Sequence, residues 1–422
     1  MTMSSLGREV VAAVSPERAT ADLVALIRVP SVTGSEEPMA QLVAELAAET
    51  GARVERIDVD PIEVTRDPDW PGSEMPRTSL PIVTARVGRP GGRRLLLVAH
   101  TDVVPVGDLA TWTVAPWDGL VRAGNLYGRG ACDMKGGLAS ILEALRALVG
   151  SGAADRLDGE VVAAFVPSEE DGGQGMLAAI RAGCTADLAV VAEPTSLNVV
   201  IAHAGAITFR LTVPGRAAAA SKRRAGVSAL DKLFVLAQAL ETDEARRNGG
   251  ETNPLMAALG LPYPTVIGKV EGGEWASMVL DQIVVNGRYG VRLGQSWRDA
   301  EADLRDCIAV ACAADDFLRD HPATVEITGG RFSSASVPAD HPLPVGLGVV
   351  ASEVLGWAPE LRGEAYGADM RLLVNEGRTP TVIFGPGDQQ FGHAPDEFVP
   401  LDEVADCARV LAAWVVHELV PR

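Results

Sequence analysis

Basic residues are in deficit: 37 Lys and Arg stand against 56 Asp and Glu, a formal charge of -19, and no long Lys/Arg-rich run offsets it. Such a field repels a phosphate backbone, so nucleic acid is not an expected partner. Cysteine is scarce too. Cys132, Cys184, Cys307, Cys312 and Cys407 are scattered with no CxxC pair, which argues against a disulfide framework and a thiolate zinc site and fits a reducing cytoplasm. No apolar stretch approaches the length of a membrane span, and the N-terminus lacks a basic region followed by a long apolar one. The expectation is a cytoplasmic protein, neither exported nor membrane-embedded. Aromatics make up only 5% of the chain, yet the hydrophobic share is 47%, carried by Ala, Val and Leu. That is the composition of an ordered α/β protein. At 422 residues the chain exceeds the size at which one core stops growing, so at least two domains are expected.

Helical spacing runs from Pro16 to about Ala48, broken near Pro30 and Gly34. The apolar runs "PIVTARVG", "RRLLLVAH", "GEVVAAFVPS" and "ADLAVVAEP" then alternate with helix-like stretches such as "GGLASILEALRALVG". This is the pattern of a mostly parallel sheet flanked by helices, whose functional groups gather beyond the carboxyl ends of the strands. From about Ala206 the order becomes β-α-β-β-α-β, an inserted ferredoxin-like domain, and after about Ser333 the α/β pattern resumes. The expected division is a catalytic domain in two parts, 1–205 and 333–422, around a lid at 206–332. "AITFRLTV" and "ATVEITGG" are the expected free edges of the lid sheet, where a second copy would pair.

The chemistry-bearing residues sit at the ends of the runs. "RRLLLVAHTD" carries a buried-looking strand into His100 and Asp102; alone this reads as a core histidine beside a carboxylate. "GRGACDMKGG" sets Asp133 just before a helix, where an ordinary N-cap is the bland reading. "VPSEEDGGQG" pairs Glu169 with Glu170, "VVAEP" ends in Glu193, and "FGPGDQQFGHAPDEFV" places His393 in a Gly/Pro loop. A solvated face and a turn would account for the glutamates singly. Together His100, Asp133, Glu170, Glu193 and His393 are donors of the kind that hold Zn²⁺ or a similar divalent ion. They are too many for one tetrahedral site and suit two ions about 3.5–4 Å apart, bridged by one carboxylate.

These stretches, with "VAHTDVVP", resemble in order and spacing the co-catalytic dinuclear zinc amidohydrolases and peptidases, a group that includes acetylornithine deacetylase, succinyl-diaminopimelate desuccinylase, aminoacylase and carboxypeptidase G. The resemblance covers nearly the whole chain. It implies His100 and Glu193 on one ion, Glu170 and His393 on the other, Asp133 bridging, Glu169 as general base and Asp102 orienting His100. It also implies a cis peptide between Asp133 and Met134, and two divalent ions, Zn²⁺ by preference with Co²⁺ or Mn²⁺ as substitutes. The expected activity is hydrolysis of an amide bond in a small N-acyl amino acid or related compound, by a homodimer joined through the lid.

One position departs from the resemblance. In "TVPGRAAAASKRRAGVSALDKL", Ala219 stands where relatives carry a lid histidine that donates to the oxyanion across the dimer interface. Losing one such donor costs about 10²–10³ in rate. Three readings compete: an engineered low-activity variant, a natural change toward condensing or cyclising chemistry on the same metal pair, and a non-catalytic metal-binding homodimer. Ser277 and Leu280 replace Asn and Pro of many relatives, and Arg371 in "GADMRLL" falls where relatives keep an arginine near the substrate carboxylate, a surface ion pair being the alternative. His203 and Cys132 read as structural.

Overall fold

The computed structural model describes residues 3–421, which divide into two compact units. One runs to Ile201 and resumes with Ser336–Arg362 and from Ala368; the other is Ala202–Ala335 with Gly363–Gly367. The second unit therefore takes in a remote five-residue stretch that no local pattern marks.

The first unit is built on a central sheet. Strands Gly159–Val166, Arg93–His100, Leu188–Val191 and Thr381–Ile383 lie side by side and parallel. Leu80–Gly88 and then Arg53–Val59 continue it antiparallel on one side, and Val199–His203 does so on the other. Gly159–Val166 is buried along its whole length, as a strand covered on both faces must be. Helices Gly136–Gly150 and Leu401–Leu419 pack together against this sheet, joined by Pro16–Ile27 and Pro342–Leu355. Pro16 opens its helix at the first position, where a missing N–H costs nothing, behind Ser15, whose hydroxyl accepts from Arg18 N. Gly137 sets the approach of helix Gly136–Gly150: a Cβ there would overlap the Ala192 carbonyl, so only glycine lets the helix start against the strand end that carries Glu193.

The second unit has the β-α-β-β-α-β order, in an antiparallel sheet running Thr265–Gly272, Gln282–Val291, Gly205–Pro214, Thr324–Phe332. Ile207, Phe209, Leu211 and Val213 alternate inward to meet Leu236 and Leu240 of helix Ala229–Gly249 and Leu304 and Ile308 of helix Trp297–Ala314. A capping box between Ser296 and Asp299 starts the latter. The strand containing "AITFRLTV" is not a sheet edge, as its sequence suggested. It is central, flanked by Gln282–Val291 and Thr324–Phe332, because the first crossover helix carries the chain past it to the edge strand Thr265–Gly272, the hairpin brings Gln282–Val291 back beside it, and the second crossover sets Thr324–Phe332 on its other side. Thr265–Gly272 and Thr324–Phe332 are the edges. No helix among the described residues is long and apolar enough to cross a membrane.

Candidate metal centre

Each of the five ligand-type side chains belongs to the first unit: His100, Glu170 and Glu193 leave from or just beyond strand ends, Asp133 from the turn before a helix, and His393 from the loop between Thr381–Ile383 and Phe398–Pro400. His100 ends the buried strand Arg93–His100 and is itself buried. Its Nδ1 donates to the main-chain carbonyl of Asp102 at 2.9 Å. This bond leaves Nε2 facing Asp133 Oδ1 at 3.0 Å and Glu193 Oε1 at 3.5 Å. Asp133 lies in an irregular turn between Gly130 and helix Gly136–Gly150, and its peptide bond to Met134 is cis. Its second oxygen meets His393 Nε2 at 3.2 Å, and the same nitrogen is 3.0 Å from Glu170 Oε2. The result is two groups able to hold a metal ion, His100/Asp133/Glu193 and Asp133/Glu170/His393, with ligand atoms in each within 4.8 Å of one another. Asp133 is common to both.

Asp102 acts on the ring mainly through its carbonyl, since its carboxylate is 3.6 Å from Nδ1. The carboxylate accepts instead from the backbone N–H groups of Glu169 (3.0 Å) and Glu170 (3.2 Å) and from the Thr33 hydroxyl (3.0 Å). It thereby fixes the turn that carries both glutamates. Ser168, just before them, is a non-glycine residue at φ 73°, a strained conformation that persists where neighbours enforce it. Its hydroxyl donates to Asp171, whose carboxylate also takes both Ser73 and the Arg77 guanidinium.

The electrostatics are those of too many carboxylates for the available protons. Burial, then the Asp133 charge, pushes Glu170 up to about 7. Burial also drives Glu193 up to about 8, with His100 opposing and Asp133 adding. Glu169 is raised well above the ordinary carboxylate range by burial and by Glu193 and Asp369. Burial works against the charged imidazole of His393, but its bonds to Asp133 and Glu170 outweigh that and hold it near 11. Asp133 is held low by the two histidines, against burial. A cation binding here would displace these protons and relieve the repulsion. Glu169 Oε1 is buried and has no hydrogen-bond partner among the described residues, while its backbone N–H is held by Asp102.

Several positioning groups escape a reading of the sequence. Glu397 Oε1 accepts from the N–H of Cys132 (2.9 Å) and of Asp133 (3.0 Å), Arg129 pairs with its other oxygen, and Gln389 Nε2 donates to Asp133 Oδ2 at 3.0 Å. Lys135 Nζ ties the turn to the carbonyls of Leu26 and Val29, each at 3.0 Å. The only available signal was their nearness in sequence to Asp133 and His393. Arg371 is buried, and its guanidinium donates to the carbonyls of Ala368 and Gly172. It supports the loop after Glu170 rather than forming a surface ion pair. Ala219 belongs to the second unit, where it is exposed beside Met278, with Ala220 N donating to Ser277 O and Val279 N to Ala218 O. Cys132 and His203 are buried.

Known proteins agree with this architecture. The sequence pattern of Peptidase family M20/M25/M40 matches residues 96–417. An acetylornithine deacetylase of Photorhabdus laumondii is 26% identical over 391 residues, 92% of either chain. A succinyl-diaminopimelate desuccinylase of Methylobacterium nodulans is 37% identical over 201 residues, 45% of this chain and 47% of its own. Among solved structures, a di-peptidase of Saccharomyces cerevisiae superposes with TM-score 0.74 at 15% identity, over 98% of both chains, a likeness of fold.

Proposed function

Because the chain belongs to peptidase family M20/M25/M40, we propose that it is a metal-dependent amide hydrolase that removes the acyl group from a small N-acyl amino acid or a related compound. The observation that carries this reading is the pair of ligand groups sharing Asp133, with Glu169, whose buried Oε1 has no partner among the described residues, beside them. The donor set, imidazole and carboxylate without thiolate, fits zinc, cobalt or manganese. His100, Glu193 and Asp133 would hold one ion, and Glu170, His393 and Asp133 the other. Bound there, two divalent ions supply Lewis acidity toward the scissile carbonyl and make hydroxide available near neutral pH.

The remaining work falls to the chain's own groups. Glu169 takes a proton from the attacking water and delivers it to the leaving amine, a carboxylate beside the ligand groups that is not needed as a ligand itself. Asp102 holds Glu169 and Glu170 in register through their backbone N–H groups while its carbonyl orients His100. The names of the relatives, a deacetylase and a desuccinylase, support an acyl group on an amine as the substrate class. The chain acts as a homodimer through the 206–332 segment, for which Thr265–Gly272 and Thr324–Phe332 are the edges open to pairing.

A second reading rests on Ala219. Its methyl group donates no hydrogen bond, so a condensing or cyclising reaction on the same centre, or binding alone, would do without the donor that hydrolysis uses. The test is a panel of N-acyl amino acids with added Zn²⁺, Co²⁺ or Mn²⁺, run with this chain and with Ala219→His. Turnover that the histidine raises supports hydrolysis. Metal binding with no turnover in either form would overturn it.

A further inference from the structure

We propose that Arg129 and Glu397 form a buried clamp that sets the two ligand loops of the centre against each other, and that Arg129 is the positioning residue for His393. The inference rests on the metal-dependent reading above.

His393 needs such a device. It is about half exposed, and its backbone is at φ 60° although it is not glycine. Asp396, three residues on, is also left-handed at φ 55°. Side chains of other segments secure both. The Asp396 carboxylate accepts from Thr113 N at 2.8 Å and from the Thr113 hydroxyl at 2.7 Å. For His393 the holding bond comes from Arg129, whose Nη2 donates to the His393 carbonyl at 3.3 Å.

The same guanidinium reaches the other loop. Its Nη1 pairs with Glu397 Oε2, and Glu397 Oε1 accepts the backbone N–H groups of Cys132 and Asp133. One fork of donors and one carboxylate thus join the carbonyl of His393 to the amide of Asp133. Arg129 and Glu397 are each almost fully buried, at 2% and 1% exposure, so water does not compete for these bonds. The clamp is itself anchored. Gly128 N donates to the Glu397 carbonyl at 2.9 Å, Tyr127 pairs with Phe398 in a short antiparallel ladder, and the Arg129 guanidinium lies over the Trp112 ring. Among the described residues no comparable group ties His100, which its own strand and the Asp102 carbonyl already fix. Asp133 serves both ions, whereas His393 serves one, so losing the bond from Arg129 to His393 should weaken the ion held by Asp133, Glu170 and His393 far more than the one held by His100, Asp133 and Glu193.

The experiment is Co²⁺ titration of the metal-stripped full chain, followed by calorimetry and by visible absorption, for the native sequence, Arg129→Met, Arg129→Lys and Glu397→Gln. Groups that orient metal ligands typically contribute about 10–100-fold to affinity. Arg129→Met is expected to weaken one of two binding events by that factor and leave the other within a few-fold, with an altered absorption band for the weakened site. Arg129→Lys, which keeps one donor, should recover part of the loss. If Arg129→Met does not fold, Glu397→Gln carries the test: it keeps the oxygen that accepts both N–H groups but loses the charge that holds Arg129, so it too should weaken one event selectively. Two unchanged events in a folded variant would overturn the clamp, as would equal weakening of both. A native chain that binds no Co²⁺ would overturn the metal-dependent reading itself, which is a different failure.

Discussion

Replacing Glu169 by glutamine separates two effects, the proton transfer proposed for this residue and the burden its buried carboxyl places on the fold. The side chain is buried at 7% exposure, its Oε1 has no partner among the described residues, and its proton affinity is raised by burial and by the charges of Glu193 and Asp369. Glutamine has nearly the same shape and fills the same space, but it neither accepts a proton nor carries charge. General acid–base catalysis contributes about 10²–10⁴ in rate, equivalent to about 3–5 kcal/mol at 1.36 kcal/mol per tenfold. Glu169→Gln should lose that much in kcat, change KM little, and bind metal as the native chain does. Its stability should move the other way. A carboxyl whose folded pKa is raised contributes stability that is complete below the ordinary carboxylate range and lost as pH rises toward the folded value. The metal-stripped variant, free of that loss, should therefore melt higher than the metal-stripped native chain at pH 8, with the gap closing near pH 4.5. Steady-state kinetics, metal analysis and calorimetry read all three. A variant with near-native kcat, or one that loses metal together with activity, would refute the assignment of Glu169 as the base.

Metal-stripped protein should lose stability as pH rises from about 5 to 8, because Glu170 and Glu193 are raised to about 7 and about 8 and His393 is also raised, so their contributions fade with increasing pH. Added Zn²⁺ should reverse the slope, since it binds the deprotonated ligands; parallel melting curves with and without zinc would contradict this. Gly137→Ala should destabilise the first unit by roughly 1–3 kcal/mol, the usual cost of overpacking, because its Cβ would overlap the Ala192 carbonyl; an unchanged denaturant midpoint would show that the helix can shift. Ala219→His should raise turnover of an N-acyl amino acid by about 10²–10³, the usual worth of one oxyanion donor; no gain in a folded, metal-loaded variant would remove this position from the reaction.

What could be read from the sequence was whatever lies close along the chain. Strand Arg93–His100 announces itself as an unbroken apolar run, and the abrupt change to His100 and Asp102 marks its functional end; Glu193 is legible for the same reason. Asp133 is flanked by glycines that mark a tight turn. What escaped was long-range. The Arg129–Glu397 pair spans 268 residues, and Asp171 gathers Ser73 and Arg77 from about a hundred residues away. The Asp102 carboxylate serves backbone N–H groups instead of the imidazole, a choice set by how the Glu169–Glu170 turn folds over it. Strand order escaped for a similar reason. Alternation shows that "AITFRLTV" is a half-buried strand, but both central and edge strands alternate, and only the crossovers decide which it is.

The central claim is that Asp133 is shared by two metal sites, and metal stoichiometry tests it most directly. Purified chain dialysed against Zn²⁺ should carry about two ions, the number that one bridging carboxylate serves, and Asp133→Ala should carry neither tightly while remaining folded by circular dichroism. Full occupancy retained in Asp133→Ala, or a single ion in the native chain, would contradict the shared-carboxylate centre.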